Sequence, residues 1–132
     1  MTRSLAVVAL ACAVIVPAAA AASPKGFTAI ATQTTGKQPG KSLTFSEVPR
    51  TGSKVVGHDR VSCTHMGKTS MQCTASFVLT GGTLVVAGKV VYANKANTLA
   101  IVCGTGLYKG ARGILTIRDQ SSTKTVQTFA FS

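Results

Sequence analysis

Residues 71–92 read MQCTASFVLTGGTLVVAGKVVY, and their alternation decides the fold class. Met71, Cys73, Ala75, Phe77 and Leu79 fall on one face, while Gln72, Thr74, Ser76 and Thr80 fall on the other. A period of two with a single apolar face is the pattern of a half-buried β-strand. Thr80-Gly81-Gly82 then breaks the run with the chemistry of a tight hairpin turn. Leu84, Val86, Val90 and Tyr92 resume one face in the second strand. Gly88 within it marks a bend or a close packing contact.

The same pattern extends outward in both directions. Runs rich in β-branched residues and threonine recur at 27–34, 42–48, 55–64, 71–80, 83–92, 98–103, 112–119 and 124–131. Glycine-containing turns separate them, and the segment 35–41, TGKQPGK, is a loop by its glycine and proline content. No run after the N-terminus sustains a 3.6-residue apolar repeat, so a helical architecture is excluded. Eight short strands in 132 residues predict one all-β domain, either a sandwich or a closed barrel without exposed edges.

The N-terminus is read as a processing segment. Arg3 precedes the apolar stretch LAVVALACAVIV, Pro17 ends it, and Ala20 and Ala22 fit the small-residue rule for signal-peptidase cleavage. The apolar stretch falls short of the roughly 20 residues a membrane span requires, so no span is expected; the competing reading is a membrane anchor. The expectation is a signal peptide over 1–22, a mature domain over 23–132, and a secreted, extracellular protein.

Export sets the reading of the cysteines. Cys12 falls in the signal segment, leaving Cys63, Cys73 and Cys103. Cys63 and Cys73 bracket THMGKTSMQ, whose centre at Gly67-Lys68 looks like a hairpin turn, so the two would face each other across it. In an oxidising compartment such a pair forms a disulfide. With His65 it makes only three metal ligands and lacks a repeated C-x-x-C, so no metal site is expected.

Charge is the other strong signal. Of 14 Lys and Arg only Arg3 lies in the signal segment, leaving 13 against Glu47, Asp59 and Asp119, a net +10. Such a chain favours anionic surfaces or extracellular polymers as partners. The basic residues are scattered, Trp is absent and aromatic residues are few, so the stacking platform of single-strand nucleic-acid binders is missing.

A second stretch, LAIVCGTGLYKGARGILTI at 99–117, raises three readings. A phosphate-binding loop needs Gly-Lys-Ser/Thr at its end and a helix after it, and neither is present. A nucleophilic Cys103 needs a base, and the mature chain offers only His58 and His65. Cys103 ends an apolar strand, where a small buried thiol is the ordinary outcome. The third reading, two strands joined by a local glycine-rich hairpin, is adopted.

That stretch also carries a resemblance. IVCGTGLYKGARG, residues 101–113, resembles the "VVGGTG-x-aromatic-x-x-ARG" signature of dirigent proteins and allene oxide cyclase-like barrels. TASFVLTGGTLVVAGKV, residues 74–90, is similar to the strand, glycine turn and strand of the same group, and VGHD at 56–59 resembles a stretch of its small exported bacterial members. The likeness runs over about residues 27 to 131 and implies a closed eight-stranded antiparallel β-barrel with an apolar central cavity. It implies cofactor-free chemistry: guiding a small hydrophobic molecule, by cyclisation or stereochemical direction, or simply binding it. Arg112 matches the arginine of the signature. Leu107 stands where many dirigent proteins carry an acid, Cys103 replaces a glycine, and the plant cyclases' "E-x-N" element has no counterpart in FTAIATQTT.

The candidate residues follow. Glu47, the single glutamate, shares a face with Leu43 and Phe45; it either enters the barrel with a raised pKa or sits at the rim against a Lys or Arg. Glu47 and Arg112 are the catalytic candidates, and Phe45, Tyr92 and Tyr108 the ligand-binding ones. Asp59 is read as a turn residue. Val78, Val85 and Val91 on outward faces hint at a homo-oligomer. The alternative to a ligand-holding barrel is a non-enzymatic cationic protein that binds anionic surfaces.

Overall fold

The computed structural model describes residues 26–37, 40 and 42–131. The signal segment expected at 1–22 therefore lies outside the described residues. Nine strands follow one another: β1 (Gly26–Lys37), β2 (Ser42–Thr51), β3 (Lys54–Val55), β4 (Gly57–Met66), β5 (Ser70–Leu79), β6 (Gly82–Val91), β7 (Ala96–Gly104), β8 (Gly113–Asp119) and β9 (Lys124–Phe131). Every pairing is antiparallel, in the order β1-β9-β8-β7-β6-β5-β4-β2, and β1 pairs back onto β2. That last ladder closes an eight-stranded barrel, with the two-residue β3 hanging on the end of β2.

The alternation read at 71–92 is the alternation observed. Cys73, Ala75, Phe77, Leu79, Leu84, Val86 and Val90 are buried in the barrel core. Leu79 pairs with Gly82, so Thr80 and Gly81 form the predicted two-residue turn. Gly88 is a packing contact: a Cβ there would lie 3.1 Å from the Cα of Leu99 on β7. Strand β1 runs to Lys37, into the segment read as a loop, because a bulge at Gln33–Thr35 lets it follow β2.

The hairpin of β4 and β5 sets Cys63 directly opposite Cys73, and a disulfide joins them across a Cα separation of 4.1 Å. This settles the pair as a cross-link rather than as metal ligands. Cys103, expected as a buried thiol, is buried and disulfide-bonded.

The GTGLYKGARG stretch joins the antiparallel neighbours β7 and β8, as the hairpin reading expected, but by a long connection. Ile101 pairs with Gly113, and the chain between them forms a cap that contains a single 3-10 turn over Gly106–Tyr108. The cap lies on the β5–β6 turn: the Leu107 amide donates to the Gly81 carbonyl at 2.9 Å, and the Thr105 amide to the Thr83 carbonyl at 2.9 Å. Gly106 has φ +62, and any Cβ there would sit 2.2 Å from the Gly81 oxygen. Backbone-on-backbone packing, not phosphate binding, explains the glycines. Tyr108 is thereby buried beside Phe131, and Phe27 and Phe77 pack on Phe129 at ring separations of 4.6 and 5.1 Å. This aromatic floor fills one end of the barrel.

Replacing Gly106 with valine is expected to destabilise the fold by about 2–4 kcal/mol, through strain at positive φ and the clash with Gly81. Gly110→Asn, where φ is +73 and no atom lies within 4 Å, is expected to cost less than about 1 kcal/mol. Urea denaturation of the two variants checks the contrast.

Candidate functional site

The other end of the barrel is open. A cavity of about 210 Å³ enters there between Tyr92, Asn97, Asp119 and Thr125 and descends past Phe45 and Glu47 to Phe77, Leu115 and Gln127. Its upper wall includes the Cys63–Cys73 disulfide. The wall is mainly apolar because inward positions of β5 to β8 carry aliphatic residues at period two.

One patch of the wall is polar. Glu47 on β2 pairs with Asp59 on β4, so their side chains point inward side by side. Only 5% of Glu47 and 2% of Asp59 is exposed. From β9, Gln127 reaches the pair: its Nε2 donates to Glu47 Oε1 at 3.4 Å and to Asp59 Oδ2 at 3.3 Å. Between β9 and β2 lies β1, whose buried residues are Ala29 and Ala31, small enough to leave that path open. Asp59 Oδ1 and Gln127 Oε1 are buried without a partner among the described residues.

Burial decides the protonation of this patch. Removal from water, then the neighbouring Asp59 charge and the hydrogen bond shared with it, raise the Glu47 pKa from 4.5 to about 8. Asp119 at the mouth adds to the rise, and a hydrogen bond from Thr125 opposes it. Burial also raises Asp59, from 3.8 to about 6, with hydrogen bonds from Gln127 and Glu47 and the nearby His58 holding it lower than its partner. Both carboxyls are thus held above their ordinary range, Glu47 the more strongly, and the adjacent pair resists losing its second proton. A carboxylic acid kept neutral inside an apolar cavity can donate a hydrogen bond or a proton.

A family model described as dirigent-like protein matches residues 19–131. The chain belongs to the dirigent-like family. Two solved structures show the same barrel at low sequence identity. The dirigent-like chain is 19% identical to a pyocyanin demethylase, with a TM-score of 0.68 over 81% of this chain and 99% of that one. It is 15% identical to a pterocarpan synthase dirigent protein, with a TM-score of 0.63 over 89% and 93%. No curated protein matches.

Within this dirigent-like barrel the candidate residues divide between the two ends. Glu47, Phe45 and Tyr92 line the open cavity, and Glu47 lies in the interior rather than at the rim. The Tyr92 hydroxyl is hydrogen-bonded to His65 Nδ1 at the mouth. Tyr108 lies in the floor, beside a second hollow of about 210 Å³ shared with Phe27 and Lys54. Arg112 is exposed on the capping loop, its Nη1 donating to the Ala111 carbonyl at 3.0 Å, and it does not reach Glu47. Asp59 is a correction: it is no turn residue but a strand residue, on the inward face of Val61 and Cys63. That period of two was the signal for it. Gln127 carried the same signal, two residues before the inward Phe129.

The raised carboxyls tie stability to pH with a definite sign. Between the ordinary carboxyl range and about pH 8 the folded state holds more protons than the unfolded chain, so stability falls as pH rises. Thermal melts from pH 4 to 8.5 are expected to show a progressive loss, on the order of a few kcal/mol. Glu47→Gln is expected to flatten that dependence.

Proposed function

We propose that this dirigent-like barrel holds a small, mainly apolar molecule in its open-ended cavity and directs its cyclisation or stereochemistry, with Glu47 as the proton-donating group. The observation that carries this reading is a pair of adjacent buried carboxyl groups, Glu47 and Asp59, set into the polar patch of an otherwise apolar cavity wall. An acid whose pKa lies near the working pH both gives and retakes a proton efficiently. A barrel interior also fixes the pose of a flat guest, and a fixed pose decides which face of a reacting centre is attacked.

Size supports the reading. A cavity of roughly 150 Å³ admits benzene, so about 210 Å³ suits a substituted single ring or a small fused pair. Phe45 offers a ring beside Glu47, and Tyr92 with His65 frames the entrance. The names of the two structural neighbours, a demethylase of pyocyanin and a synthase of a pterocarpan, also describe reactions of small molecules. Arg112 and Tyr108, at the far end, stay outside this catalytic set.

We place the protein outside the cell: the N-terminal segment reads as a signal peptide, and the Cys63–Cys73 disulfide suits an oxidising compartment. A second reading, attachment to anionic polymers, draws on the exposure of every Lys and Arg whose side chain is described. It concerns the outer surface and leaves the cavity's role unchanged.

Native mass spectrometry of protein purified from its own culture supernatant tests the main reading. The expected spectrum shows a small-molecule adduct on the wild type and none on Phe45→Lys. Glu47→Gln is expected to keep the adduct and lose its conversion. A wild type that is empty, with its Cys63–Cys73 disulfide intact, overturns the ligand reading in favour of surface binding.

A further inference from the structure

The chain contains three acidic residues in all, Glu47, Asp59 and Asp119. All three converge on the open cavity. Glu47 and Asp119 line it, and Asp59 stands behind Glu47 on the same glutamine amide. Every Lys and Arg whose side chain is described is exposed. Among them only Lys95 borders the cavity, on the loop at its mouth. His58 lies near Asp59 but is itself exposed, and His65 is engaged with Tyr92. Acidic side chains are rarely buried, and in a chain of this charge each had basic surface available to pair with. The molecule is positive outside and negative at its cavity.

A second observation points to a ligand independently of charge. The two carboxyl groups that accept from Gln127 Nε2 fix the orientation of its amide, leaving Oε1 as the atom without a partner among the described residues. Gln127 is 2% exposed and lines the cavity wall. A buried acceptor of this kind requires a donor from whatever enters. Asp59 Oδ1 is a second unpartnered acceptor behind it.

We infer that the cavity selects a small aromatic cation bearing N–H groups, a protonated amine or amidine on one or two rings, over neutral and anionic molecules of the same shape. This rests on the reading of the cavity as a ligand site and adds its charge preference. The ring lies against Phe45, Leu99 and Leu115, while an N–H donates to Gln127 Oε1 and the positive charge sits in the field of Asp59 behind the wall and of Asp119 at the mouth. An anion of equal size meets the Gln127 acceptor and the negative charges of Asp59 and Asp119. Asp119 at the mouth favours entry of a cation that the basic exterior otherwise repels.

Isothermal titration with three naphthalene probes tests this: 2-naphthylmethylammonium, 2-naphthylmethanol and 2-naphthoate, at pH 7.5 and about 0.15 M salt to screen the exterior charge. The ammonium probe is expected to bind at least about tenfold more tightly than the alcohol, and the carboxylate weakest of the three. Asp59→Asn is expected to reduce the ammonium-to-alcohol ratio below about threefold. Asp119→Asn, an exposed change outside the packed core, is expected to lower it in the same direction. Equal affinities, or tighter binding of the carboxylate, overturn the charge preference while leaving the cavity as a ligand site. Binding of none of the three overturns both.

Discussion

The ladder between β1 and β2 is the constraint on which the rest of the molecule depends. Once that pairing closes the sheet, each strand has an inside and an outside, and its period of two assigns every side chain to one of them. No edge remains to be protected, so the exterior is free to carry a dense positive charge. The interior must fill itself with what the inward positions supply. At one end they supply Phe27, Phe77, Phe129 and Phe131 under the Gly106–Tyr108 cap, and stacked aromatic rings occupy the barrel. At the other end they supply smaller and polar groups, and a cavity remains.

The polar patch costs stability, and its form shows how that cost is limited. Two adjacent buried carboxylates cannot both ionise without severe repulsion, so one keeps its proton. Gln127 satisfies one oxygen of each, made possible by the small inward residues of β1. Two acceptors stay unpaired among the described residues, each costing about 1–3 kcal/mol. Folding alone gains nothing from such a patch, and a well-packed apolar wall would be more stable. Polar groups held at that cost belong to binding or chemistry, in line with the family's barrel as a container for small molecules.

Much of the barrel was legible because alternation is a local property. Residues 71–92 gave their inward face, their turn and the reason for Gly88, and the spacing of Cys63 and Cys73 about Gly67-Lys68 gave the disulfide. What was not legible depended on contacts between distant segments. That 104–113 joins paired strands was legible, but not that its glycines pack on the β5–β6 turn beneath them. Arg112 looks like a pocket residue until the same cap is seen at the closed end. Glu47 and Asp59 lie 12 positions apart, and Gln127 is a further 68 away, so nothing local joins them. Asp59 was misread because "GHDR" has turn chemistry, although Asp59, Val61 and Cys63 share one strand face. The bond to Cys103 was missed because a cysteine ending an apolar strand looks the same whether free or bonded.

The central claim is that closure of this barrel holds the Glu47 carboxyl neutral beside an ionised Asp59. Because Glu47 is the chain's single glutamate, selective ¹³C labelling of the glutamate side-chain carboxyl yields one resonance to follow through a pH titration. The account predicts a midpoint at about 8, falling toward the ordinary range in Asp59→Asn as the neighbouring negative charge is removed. A midpoint near 4.5, unchanged in Asp59→Asn, would contradict it.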